Sequence, residues 1–295
     1  MDKLQLLLPS PAASNSVCTL AQREGIFETH DLDVTMDVIG DSSSLLHQTE
    51  HDGAFVAYLA AAAVIEAALN GANLVLFAGM VNRPFHSIVG RPEIALAEDL
   101  RGKRVGFSGR NDELSCGLAL AQIGLRLGHD VTGVRISGPP NQRIDALRDG
   151  VVDAVAISPP ATFRAKKEGF RELVSLADLP SEYQSGSCTT NRAFLAEHRD
   201  VVVRFTGALI EAVRLFKADR EKAIEALAEH TGGTDREELE DSWRIFALRC
   251  MPDVPALSLP GLRFVMDTVV QHPAAREYAP EEFVDLAVVP EATAA

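Results

Sequence analysis

The chain has little that would let it act on nucleic acid, cross a membrane or hold a metal. Its 28 basic residues face 42 acidic ones, a formal net charge of −14 over 295 residues, and no basic stripe runs along any segment. That balance leaves no electrostatic footprint for nucleic acid or for an anionic membrane surface, although a local site can oppose the global charge and take an anion. No apolar stretch approaches the roughly 18 residues that read as a bilayer span, so no membrane insertion is expected. The four cysteines, Cys18, Cys116, Cys188 and Cys250, stand far apart without CxxC or zinc spacing and read as buried or semi-buried thiols. No internal repeat, low-complexity segment, Walker loop or dinucleotide fingerprint is present, and no cofactor is implied. Met1-Asp2-Lys3, followed only by Leu4–Leu8 and then Pro9, lacks the apolar run of a secretory leader. As written, the chain is expected in the cytoplasm, or in the periplasm or cell envelope if a leader was removed.

What is there is the profile of a soluble globular protein, 46% hydrophobic and 24% charged, long enough for two domains. Short apolar runs alternate with helical periodicity: strands at Leu4–Leu8, Leu32–Val38, Ala54–Tyr58 and Asn73–Gly79, with helices between them. Such alternation predicts α/β architecture with a parallel sheet covered on both faces. Asn82-Arg83-Pro84 breaks the pattern and a second strand–helix series runs to Glu172–Leu176. Ser185–Thr190 reads as a second polar crossing, and after Asn191 the chain is helical almost to a frayed tail at Glu291–Ala295. Two crossings predict two lobes joined by a two-stranded hinge, residues 1–83 plus 191–295 as one and 84–190 as the other. In open α/β sheets ligands sit beyond the carboxyl ends of the strands.

The stretch around Asp-Leu-Arg-Gly-Lys-Arg-Val-Gly-Phe at Asp99–Phe107 carries the sharpest local signal. Val105-Gly106-Phe107 predicts a strand, Ser108-Gly109-Arg110-Asn111 a loop, and Leu114, Leu118, Ala121 and Leu125 a helix capped by Asn111 or Asp112. Its free N–H groups would face the loop and favour a carboxylate, sulfonate or phosphate. An ordinary turn that packs only its own helix remains the competing reading.

That stretch resembles the Asp-Leu-Lys-Gly-Lys-Lys-Ile-Gly-Val element of type II solute-binding proteins. Arg143–Pro160 is similar to their helix–strand element, and Glu66–Ala78 to the segment before the first crossing. The nearest group is the nitrate, sulfonate and thiamine-precursor (NMT1/THI5-like) binding proteins of ABC-type uptake systems. The resemblance implies a two-lobed fold that closes over a small anionic or aromatic solute, of sulfonate, carboxylate or pyrimidine class, and a permease partner. It implies contacts from strand-end loops: Ser10 and Ser14; Tyr58; Ser108, Arg110, Asn111 and Ser115; Ser158; Ser187 and Thr189. Arg83, Arg110 and Arg192 are candidate forks for the ligand's acid group.

The same fold serves cytoplasmic enzymes that act on small aromatic acids, desulfinases and decarboxylases among them, so catalysis is the rival reading. Its candidates are Cys18, in the first turn of a helix where the dipole favours thiolate, and His47. Against it, Ala54–Ala63 contains no basic residue where the desulfinase pattern places an arginine. His47-Gln48-Thr49-Glu50-His51 spells H-x-x-E-H, but on a short polar segment without a third ligand, so no metal is expected.

Overall fold

The computed structural model describes residues 1–39, 44–46, 55–178 and 182–294. Its strands are β1 Asp2–Leu8, β2 Leu32–Val38, β3 Phe55–Ala60, β4 Leu74–Gly79, β5 Ser87–Gly90, β6 Arg104–Phe107, β7 Thr132–Arg135, β8 Ala154–Ile157, β9 Arg171–Ser175 and β10 Gly186–Asn191. The helices are α1 Ser16–Arg23, α2 Ile26–Thr29, α3 Ala61–Leu69, α4 Arg110–Gln122, α5 Pro140–Arg148 and α6 Ala161–Lys167. They continue with α7 Arg192–Glu197, α8 Arg199–Ala218, α9 Arg220–Thr231, α10 Arg236–Ile245, α11 Leu259–Thr268 and α12 Val288–Ala294.

Two units emerge, one of Met1–Arg83, Ser181–Arg236 and Phe246–Ala295, the other of Pro84–Pro180 and Glu237–Ile245. The first holds a sheet in the order β2-β1-β3-β10-β4. β1 lies parallel to both β2 and β3, and β10 inserts antiparallel between β3 and β4, with Cys188 opposite Tyr58 and Ala78. The sheet is therefore mixed rather than purely parallel. The expected boundary at 190/191 moves as well, because β10 completes the first sheet.

Both faces of this sheet are covered, which is why β3 and β4 read as unbroken apolar runs, whereas β2 at the edge alternates and β10 is polar. On one face Leu7, Phe55, Leu59 and Leu76 pack with Val64 and Ile65 of α3 and Leu262 and Met266 of α11. The buried side of α1, with Val17 and Leu20, packs on α8 and α9, and Phe27 stacks on Phe205 at 5.6 Å. Gly25, at φ 67°, takes the left-handed turn after α1 that a glycine makes without strain.

The second unit holds the order β7-β6-β8-β5-β9, with β5 antiparallel to β8 and β9. Side chains alternate between two cores. Ile88, Ala154 and Ala156 join Val105 and Leu120 on one face, while Val89, Val155 and Ile157 join Ile144 and Leu147 on the other.

Two features of the C-terminal part differ from expectation. Glu237–Ile245 belongs to the second unit, tied there by Arg164–Glu238 at 2.7 Å and Lys167–Glu237 at 3.1 Å, and a π-helical turn at Phe246–Cys250 follows. The tail is helical (α12) instead of frayed. Arg199 holds it by forking onto Asp285 and Glu291, and just before it Val284 forms an isolated parallel bridge with Leu76. No helix among the described residues is long and apolar enough to cross a membrane.

Candidate functional site

In the first unit the loop after β1 is held from beneath. The Tyr58 hydroxyl donates to the Ser14 carbonyl at 2.9 Å, and the Asn15 amide donates to the Ser10 carbonyl at 3.0 Å. Asn15 does not cap α1 with its side chain. Its Oδ1 instead accepts a hydrogen bond from His230 Nε2–H at 2.6 Å, and the other ring nitrogen meets Thr19 Oγ1 at 2.8 Å. Since the amide nitrogen is committed to Ser10, Oδ1 must accept, which fixes the Nε2–H tautomer and leaves Nδ1 to accept from Thr19. Burial lowers the His230 pKa, so the imidazole stays neutral in place.

Ser10, Ser14 and Tyr58 are thus brought to one loop, but Tyr58 serves it as a buried prop. Burial first, and then the neighbouring Cys18 and Cys188, push its phenol well above the ordinary range. On β10 the two predicted residues divide. Thr189 donates to the Val75 carbonyl at 2.8 Å and is spent inside the sheet, while the fully buried Ser187 hydroxyl has no partner among the described residues.

Cys18 is fully buried, and burial pushes its thiol up to about 12. A nucleophile needs the opposite, an exposed thiol with a lowered pKa. The helix start expected to favour thiolate is outweighed by desolvation. His47 and the rest of the H-x-x-E-H segment lie outside the described residues.

In the second unit the loop after β6 leads into α4, which begins at Arg110 with Gly109 at the cap position, so neither Asn111 nor Asp112 caps it. Asp112 lies in the first turn and reaches back, accepting from the Ser108 backbone N–H at 3.3 Å and from the Ser108 hydroxyl. The same carboxylate meets Arg143 at 3.2 Å and His86 Nε2 at 3.2 Å, while His86 Nδ1 meets Ser115 Oγ at 3.1 Å. Burial alone would raise the Asp112 pKa. The His86 hydrogen bond and charge, the Ser108 hydroxyl and the Arg143 charge outweigh it and hold the carboxyl well below the usual carboxylate range.

Arg143 is 4% exposed; one guanidinium nitrogen reaches the Gly138 carbonyl at 3.4 Å and its Nε has no partner among the described residues. Ser108 and Ser115 are therefore assembled around Asp112 and His86. Ser158 is half-buried at the end of β8, its carbonyl accepting from the Thr162 N–H, and among the described residues it makes no bond to that cluster. Arg110 and Asn111 stand in the first turn of α4, and their side chains lie outside the described ones. Arg192 donates to the Glu282 carbonyl, and Arg83 is exposed.

Sequence reasoning missed His230 and Arg143. His230 carries no local signal. Arg143 does, since it shares the buried side of α5 with Ile144 and Leu147, and a charge on an apolar helix face demands a partner.

The sequence model of the NMT1/THI5-like family matches residues 15–223, more than half of the chain. No curated protein sequence matches at a significant level. Among solved structures, the alkanesulfonate-binding protein SsuA of Xanthomonas axonopodis pv. citri, bound to MOPS, is 21% identical with TM-score 0.70, over 99% of this chain and 98% of that one. The periplasmic aliphatic sulphonate binding protein SsuA of Escherichia coli is 19% identical with TM-score 0.76, over 91% and 90%. The desulfurization enzyme DSZB is 17% identical with TM-score 0.71, over 100% and 99%. At these identities the likeness establishes the fold, that of type II periplasmic binding proteins.

Proposed function

We propose that this chain, which belongs to the NMT1/THI5-like family, is the solute-binding protein of an ABC-type uptake system and takes a small organic ligand on its strand-end loops. The observation that carries the reading is a first-unit loop held by buried bonds, together with a β10 hydroxyl in the same unit that is buried without a partner, as Thr162 Oγ1 and Ser242 Oγ also are among the described residues. Tyr58, Asn15 and His230 fix the loop of the first unit, while Ser187 Oγ stays unpaired. Leaving such a group unsatisfied costs about 1–3 kcal/mol, a cost a polar ligand would relieve on binding. The ligand class is that expected from the sequence: a sulfonate, a carboxylate or a pyrimidine. Hinge closure, which the sequence resemblance implies, is the proposed mechanism: a ligand favours the conformation that gives it more contacts. The partner that receives the solute is the permease of that uptake system.

The sulfonate-binding neighbours support this reading, and the fully buried, protonated Cys18 counts against the enzyme reading that the DSZB likeness would favour. The experiment is thermal-shift screening with native mass spectrometry against sulfonates, aromatic carboxylates and pyrimidines. A hit raises the melting temperature by mass action, and its mass after incubation is read again. An unchanged ligand is the expected result. A ligand recovered altered would make the protein an enzyme.

A further inference from the structure

Gly186 opens β10 opposite Ala60 of β3, and two residues on Cys188 stands opposite Tyr58. Residues 58, 186 and 188 therefore share one side of the sheet, where an aromatic side chain reaches its diagonal neighbour. Tyr58 uses that reach. A Cβ on residue 186 would lie 2.2 Å from the Tyr58 hydroxyl oxygen, 2.7 Å from Cζ and 2.9 Å from Cε1, all well inside van der Waals contact. Gly186 does not take the left-handed conformation, so its backbone would suit any residue. What its place requires is the missing side chain.

The ring carries this contact to the loop after β1. Tyr58 is 4% exposed, and its hydroxyl donates to the Ser14 carbonyl at 2.9 Å. Gly186 in turn is held by its own carbonyl, which accepts from the Met80 N–H at 2.8 Å, the Val81 N–H at 3.1 Å and the Gln184 side-chain amide at 3.2 Å. Met80 and Val81 lead to Arg83, where the chain leaves the first unit. Three donors fix the strand and one acceptor fixes the phenol, so a side chain at residue 186 displaces the ring and not the strand.

We infer that Gly186 is a positioning residue for the Ser10–Asn15 loop. By lacking a side chain it lets the Tyr58 ring cross β10 and hold Ser14, which registers the loop against the segment that carries the chain out of the unit. The inference rests on the solute-binding reading for what the loop touches. It adds a residue that acts on a ligand only through Tyr58 and Ser14.

The test is amide-resolved hydrogen exchange of the full chain without ligand, in the wild type, Gly186→Ala, Tyr58→Leu and the double variant. Leucine lacks all three atoms that crowd residue 186. The Ala12 and Asn15 N–H groups, bonded to the Ser10 and Ala12 carbonyls, report on the loop, and those of Met80 and Val81 on the crossing. In Gly186→Ala the loop amides are expected to exchange about tenfold faster, the worth of one lost hydrogen bond, with Met80 and Val81 unchanged. Adding Gly186→Ala to Tyr58→Leu is expected to change nothing further, because the ring is gone. The same added loss with or without the ring would overturn the inference, as would loop amides that stay protected in Gly186→Ala. Where circular dichroism shows Gly186→Ala unfolded, the double variant decides: folding restored by Tyr58→Leu supports the inference and folding not restored overturns it.

Calorimetric titration with ethanesulfonate, benzoate and 4-aminopyrimidine reads the solute-binding reading separately. A probe that binds the wild type is expected to bind Gly186→Ala about tenfold more weakly. Equal affinity despite faster loop exchange would take this loop out of the ligand site and leave the inference standing. Heat from none of the probes would count against the solute-binding reading alone, since exchange decides the role of Gly186.

Discussion

Asn15 and His230 offer the sharpest test of how the first loop is built. Asn15→Ala deletes the amide that donates to Ser10 and the oxygen that receives His230 Nε2–H at 2.6 Å. The Ser10 carbonyl keeps the Ala12 N–H at 2.9 Å, so the main loss is the imidazole N–H, stranded in a half-buried setting. One orphaned buried donor plus one lost bond is worth about 2–3 kcal/mol. His230→Leu removes the other partner, and the double variant should cost about 1 kcal/mol less than the sum of the single ones, because the pair is coupled.

Acid supplies an independent perturbation. Burial lowers the His230 pKa from its ordinary 6.5, so the folded state resists protonation. Such a depressed base contributes stability that is complete above the unfolded value and is lost as pH falls from there through the folded value. Urea midpoints measured at about pH 7.5 and about pH 5.5 should therefore fall in the wild type and fall less in His230→Leu. An Asn15→Ala protein within about 0.5 kcal/mol of wild type, or equal acid sensitivity with and without the imidazole, would refute the reasoning.

Further outcomes follow from the same geometry. Cys18 should resist alkylation by iodoacetamide at neutral pH in the native state and react after denaturation, since burial holds its thiol near 12; Cys18→Ala should leave ligand binding intact. Ser187→Ala, which removes an unpaired buried hydroxyl, should leave the melting temperature unchanged or higher while weakening ligand by about tenfold, read by calorimetry. Asp285→Asn should cost about 1 kcal/mol in a urea titration, because the Arg199 fork is partly exposed and screened. The Arg199 hydrogen bond lowers the Asp285 pKa from 3.8, so this contribution is present above that value and is lost as pH falls below it.

The amino-acid sequence determined by itself which segments are strands and helices and in what order. β1, β4 and β8 are buried on both faces, so covering them needs unbroken apolar runs that any reader of the sequence sees. It also placed Ser10, Ser14, Ser108 and Ser158 on strand-end loops, because a chain leaving a strand needs small polar residues. What only the tertiary structure decided is which of those groups are free. Thr189 and Ser187 are two residues apart on one strand, yet one is spent on a carbonyl and the other is not. Asn15 finds His230 across 215 residues and Asp112 finds Arg143 from another helix. The antiparallel insertion of β10 and the docking of Glu237–Ile245 on the second unit are likewise non-local. Local periodicity records what one segment must bury, whereas the pairing of two polar groups depends on how separate segments pack. The donors and acceptors left for a ligand are what remains once that packing is complete.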